Sequence, residues 1–177
     1  VHLSRTATGI GQAPFQDSYH QLDVFVPKIV WEVDSDILNY TFDFGTSRAQ
    51  RIARLESKSF FNSKLYDELQ GYSSMHPLVA LSNHSYKYDE PVMSEGNAAT
   101  ALKMTIEQAK PTLIMLSNLG FINYDSETKL VVINSKLETY VRAKSGTLDF
   151  DNLQFVSDLR KKELKGYTEQ QIEKDPY

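Results

Sequence analysis

The sequence predicts an α+β fold: a small antiparallel β-meander with a short helix over residues 22–73, then a helical unit closed by a β-hairpin over residues 74–145. Three observations carry this. Leu38, Tyr40, Phe42 and Phe44 alternate with Asn39, Thr41 and Asp43, the period of two of a strand with one buried face. Ala109, Leu113, Leu116 and Leu119 recur at spacings of four and three, which places them on one side of a helix. The runs 121–125 and 129–133 are strand formers joined by the polar turn Ser126-Glu127-Thr128.

Taken in order, residues 1–21 read as a loose lead-in, punctuated by Gly9, Gly11 and Pro14 and without a period. Val24, Val26, Ile29, Trp31 and Val33 make a first strand that Pro27 breaks, as at an edge or a bulge. Asp34-Ser35-Asp36 is a turn, and the alternating run at 38–44 is the second strand. Residues 49–60 mix Arg51, Arg54, Glu56 and Lys58 with Ile52, Leu55 and Phe60, a pattern that predicts a more exposed third strand. Asn62 or Ser63 can cap a short helix closed by Gly71, with Leu65 and Leu69 on one face. A second helix spans 76–88, with Pro77 near its start, where proline is tolerated. Ala98, Ala99, Ala101 and Leu102 lie on a third helix from Ser94. Lys103-Met104 is a tight turn, and Thr105 with Gln108 makes a capping box for a fourth. Pro111 lies past its first turn and is expected to bend it. Gly120 ends that helix with positive φ. Ser135 with Glu138 predicts another capped helix closed by Gly146. Residues 146–177 hold a final strand at 153–156 and a charged helical tail, with a further capping pattern at Thr168 and Gln171.

Hydrophobic residues make up 41% of the 177 and charged residues 24%, a balance that suits a packed domain and excludes a disordered one. No apolar run approaches the roughly 20 residues of a membrane-spanning helix. The net charge of −4 argues against general affinity for nucleic acid or anionic lipid. The absence of cysteine excludes disulfides, thiol catalysis and thiolate metal sites, and leaves the compartment open. The chain starts at Val1 and carries no basic region followed by an apolar one, so no signal peptide is read. With its charged end at 169–177, it reads as a fragment of a larger protein.

Short helix, tight turn, longer helix ending in Leu116, Leu119, Gly120, Phe121 and Ile122, then a hairpin: this order resembles a winged helix-turn-helix domain. The match runs over residues 105–133, and the helices from about residue 76 complete a three-helix core. The surrounding chain is similar to the interior of large multidomain bacterial proteins, a likeness that brings no known chemistry. The resemblance implies a recognition-helix surface at Glu107, Lys110, Thr112 and Met115, and a wing surface at Ser126, Glu127 and Lys129. In DNA-binding members such surfaces present Arg and Lys to phosphates and bases. Here Lys87, Lys103, Lys110, Lys129, Lys136, Arg142 and Lys144 are balanced by Asp89, Glu90, Glu95, Glu107, Asp125, Glu127 and Glu138 over residues 74–144. A neutral surface cannot easily supply the several phosphate contacts that duplex affinity rests on. The expected role is therefore a non-catalytic interaction or scaffold domain, its partners a protein or other domains of the parent chain. DNA binding is the first alternative, and a small-ligand or carbohydrate module using an aromatic sheet face, Trp31 with Tyr40, Phe42 and Phe44, is the second.

No catalytic, cofactor or metal set emerges from the residues. Asp43-Phe44-Gly45 has the letters of a kinase motif without its glycine-rich loop, lysine strand or His-Arg-Asp loop. Gly9-Ile10-Gly11 lacks the third glycine and preceding strand of a dinucleotide loop. His76 and His84 are eight apart, too far for the i, i+4 zinc pattern, and with His2 and His20 read as caps or exposed imidazoles. Asp34/Asp36 and Asp149/Asp151 read as turn formers. Asn39-Tyr40-Thr41 and Asn83-His84-Ser85 match the glycosylation pattern but lie in a predicted strand and helix.

Overall fold

The computed structural model describes residues 1–5, 12–34, 37–41, 52–71 and 75–158. Gly9, Gly11, Ser35, Asp36, the stretch 42–51 with Phe42 and Phe44, and the charged tail with Thr168 and Gln171 lie outside the described residues. Helices and antiparallel sheets are mixed along the chain, the predicted α+β class.

The strands of the N-terminal half divide between two antiparallel sheets, where the sequence predicts one meander. One sheet runs β1-β4-β5, from β1 (His2–Ser4), β4 (Lys28–Trp31) and β5 (Leu38–Thr41). The other runs β10-β6-β3-β2, from β2 (Phe15–Asp17), β3 (Leu22–Phe25), β6 (Ile52–Ser57) and β10 (Gln154–Asp158). Pro27 explains the division. It has no N–H for a ladder and its ring fixes φ, so β3 ends before it and β4 begins after it in the other sheet. Within the predicted lead-in, His2–Ser4 and Phe15–Asp17 supply β1 and β2. Strands of three residues carry no readable period, and their order comes from pairing His2 with Val30 and Phe15 with Val24. Nor is the third strand the exposed one. β6 lies between β3 and β10, and its Ala53 and Glu56 are 1% and 3% exposed. Its charges find partners inside the fold. Val24, Val26, Ile29 and Ala53 form a small core of their own.

The larger core belongs to the helical half. α1 (Ser63–Gln70) starts where Asn62 accepts the Leu65 N–H, and its Leu69 is buried. α2 (Pro77–Tyr88) begins at Pro77 and stops at Asp89, which takes a left-handed conformation. A strand that the sequence did not suggest, β7 (Val92–Ser94), precedes α3 (Glu95–Leu102). Lys103 turns the chain with φ of 57°, and the Thr105–Gln108 capping box opens α4 (Ile106–Asn118) with both reciprocal bonds formed. α4 is a single helical element through Pro111, which lies on its exposed side. β8 (Ile122–Asp125) and β9 (Leu130–Ile133) form the predicted hairpin, and β7 joins it to give the order β7-β9-β8. α5 (Ser135–Lys144) follows. Its N-cap is Asn134, not Ser135 with a Glu138 box. Asn134 Nδ2 instead donates to Gly120 O and Asn123 Oδ1, and Ser82 Oγ donates to Glu138. Leu78, Leu81, Leu113, Leu116, Phe121, Ile122, Val131, Leu137 and Tyr140 are completely buried together.

Gly120 has φ of 83°, and a Cβ placed there would stand 2.9 Å from Pro14 Cγ. Conformation and space therefore both demand glycine. Gly120→Val is expected to lower the unfolding free energy by about 1–3 kcal/mol, read from the urea midpoint.

Candidate functional site

The residues singled out on the fourth helix and hairpin all sit at or near the surface, and they do not converge. Glu107 and Met115 are exposed on α4, while Lys110 and Thr112 flank them half-buried. Steps of four and near-multiples of 3.6 put Glu107, Pro111, Met115 and Asn118 on one outward strip, opposite the buried Ala109, Leu113 and Leu116. Ser126, half-buried, and the exposed Glu127 and Lys129 form the β8–β9 turn. That turn is held by Asp125, whose Oδ1 accepts the Glu127 N–H at 2.8 Å and whose Oδ2 accepts the Thr128 hydroxyl at 2.8 Å. Lys129 closes it with φ of 59°.

The densest chemistry is one that sequence reasoning missed. Lys136, in the first turn of α5, is 4% exposed and donates to Glu56 of β6 and to Leu119 O at 2.9 Å. The other Glu56 oxygen accepts from Gln154 Nε2 at 3.0 Å and lies 3.2 Å from Arg54 Nε, without hydrogen-bond alignment for the latter. The ammonium also stands 4.8 Å from the centre of the Phe25 ring and 5.3 Å from that of Phe121. Burial lowers the Lys136 pKa, and Glu56 opposes that shift. Beside this group Lys58 reaches the buried Asp23 at 2.7 Å. A buried lysine of lowered pKa can serve catalysis when a cleft reaches it. Here two of its three N–H groups are engaged and it lines none of the described cavities, so the group acts as a clamp between the four-stranded sheet and the helical half. Glu56 and Lys136 are 80 residues apart, so no spacing rule could have paired them.

The aromatic face is present in part. Trp31, Tyr40, Tyr19 and Phe15 line an open cleft of about 590 Å³ between the two N-terminal sheets, with Leu3 and Leu38. Trp31 is 39% exposed. At its edge Asp17 is held below the usual carboxylate range, first by the His20 backbone N–H and then by the His20 ring.

Of the histidines, His76 is a structural cap. Its Nδ1 accepts the Leu78 N–H at 3.2 Å, its Nε2 donates to Tyr66 O at 2.8 Å, and its ring stacks on Tyr66 at 3.8 Å. This geometry needs the neutral ring, and burial lowers its pKa from 6.5. Just below that value the unfolded chain binds more protons than the folded one. Stability from His76 is therefore complete above 6.5 and declines as pH falls through the lowered pKa. Between about pH 7 and pH 5 the urea midpoint of the native protein is expected to fall more than that of His76→Asn, which can cap without titrating.

Among the described residues no cluster of three or more His, Asp or Glu is placed to hold a metal ion, and no helix is long and apolar enough to cross a membrane. Comparison of the chain with protein-family models, curated proteins and solved structures gave no match.

Proposed function

We propose that residues 76–133 are a winged helix-turn-helix unit working through protein contacts, as a non-catalytic interaction or scaffold domain of a larger, multidomain bacterial protein. The element order supports the winged-helix part: helix, strand, helix, helix, hairpin, with the first strand pairing on the hairpin's return strand. The observation that carries the protein-contact part is the outward strip of α4. Glu107, Pro111, Met115 and Asn118 offer one negative charge and no positive one, and Lys110 lies half-buried at its side. Such a strip suits a protein surface better than a phosphate backbone. The partner is another domain of the parent protein or a separate protein. Fluorescence anisotropy with duplex DNA at ~0.1 M salt is expected to show no saturable binding. Submicromolar affinity with a steep salt slope would reverse the assignment in favour of a transcriptional regulator.

A second reading rests on the aromatic cleft, whose size is that of a small-ligand site. Trp31 is the only tryptophan, so its fluorescence reports on that cleft alone. A saturable change on titration with an oligosaccharide would favour this reading, and a flat response would remove it.

A further inference from the structure

A second cleft, of about 430 Å³, lies between the first strand and the β8–β9 hairpin. Its volume is in the range of small-molecule sites. Arg5 enters it from the end of β1, its backbone fixed by an N–H bond to Pro27 O at 3.0 Å. Ser117 of α4, Asn123 of β8 and the apolar side chains of Phe15, Leu130 and Val132 also line it, with Asn123 directly across from Val132 in the hairpin register.

Three features make this cleft unusual. Arg5 Nε is buried without a hydrogen-bond partner, and no carboxylate among the described residues pairs with the guanidinium. Burial and then the charge of Arg54 bring the Arg5 pKa down to about 10. A cation so placed opposes folding unless something else neutralises it. Among the described residues that line the cleft the one carboxylate, Asp125, is engaged by Glu127 and Thr128 of its own turn. Finally, a donor remains unused. Asn123 is exposed, and its Oδ1 accepts from Asn134, which leaves its amide nitrogen to donate into the cleft.

We propose that this cleft binds a carboxylate carried on a short apolar body, with Arg5 as the cation, Asn123 as a further donor, and Phe15, Leu130 and Val132 as the apolar wall. The fixed charge of Asp125 in the same cleft favours a singly charged carboxylate over a phosphate dianion. The cleft shares no lining residue with the outward strip of α4 and stands independently of the protein-contact assignment.

The test is a ¹⁵N NMR titration of the full chain with hexanoate, with hexanamide and inorganic phosphate as comparisons, on the native protein, Arg5→Gln and Arg5→Lys. Hexanoate is expected to shift the Arg5 Nε–H and Asn123 side-chain resonances, and hexanamide to leave them in place. Arg5→Gln is expected to weaken hexanoate about tenfold or more, with Arg5→Lys in between, since lysine keeps the charge and loses the planar fork. The proposal is overturned if hexanamide binds as well as hexanoate, if phosphate binds more tightly, or if Arg5→Gln leaves hexanoate affinity unchanged. Unshifted α2 resonances in each variant establish that it is folded. Should Arg5→Gln unfold, Arg5→Lys decides: unchanged hexanoate affinity overturns the proposal and weakened affinity upholds it.

Discussion

Truncating Phe121 to alanine is expected to lower the unfolding free energy by about 3–5 kcal/mol, because transfer and cavity terms add for a ring with no exposure. The site has little room to relax. The ring meets Tyr140 edge-on at 4.8 Å, and both backbone groups of Phe121 are fixed, the N–H to Leu116 O and the C=O by the Asn134 N–H. Lys110→Ala, on the flank of α4, is expected to stay within about 0.5 kcal/mol. Urea denaturation of the two variants supplies the comparison. Equal costs would mean that Phe121 does not close the helical core.

The second large effect belongs to the buried clamp. Glu56→Ala leaves Lys136 inside the fold without its carboxylate, and is expected to cost about 3–5 kcal/mol. Removing both charges should be far milder. Glu56→Leu with Lys136→Met keeps apolar volume beside Phe25 and Phe121, and is expected to fall within about 1–2 kcal/mol of the native protein. A double-mutant cycle by chemical denaturation checks this. A double variant as unstable as Glu56→Ala would show that the pair itself stabilises the fold, beyond the harm of orphaning one charge.

Local signals were legible in the sequence. The Thr105–Gln108 box, the Asn62 cap, the Gly120 reversal and the β8–β9 hairpin each depend on residues within a few positions of one another, and each stands in the fold. What escaped depends on distant partners. β1 and β2 are three residues long and owe their order to β4 and β3. Arg54 and Glu56 look like solvent-facing charges until Lys136 and Gln154 arrive from the far end of the chain. Ser135 and Glu138 have the letters of a capping box, but Glu138 receives the Ser82 hydroxyl and Asn134 takes the cap. Which side of the fourth helix faces outward follows from the spacing of Ala109, Leu113 and Leu116 on its buried side. The Arg5 cleft follows from no such spacing, because it brings residue 5 against residues 117–132.

The pairing of β10 with β6 bears on how the protein is made. β6 sits beside β3 as soon as the first third of the chain exists, but its other edge stays open until residues 154–158 have been synthesised. The four-stranded sheet therefore cannot finish before the helical half has been produced and carried the chain back. Until then an emerging chain exposes an unpaired strand edge with Glu56 still lacking Gln154. Completion of the sheet is thus a late, long-range event, of the kind that slows folding and leaves intermediates open to association.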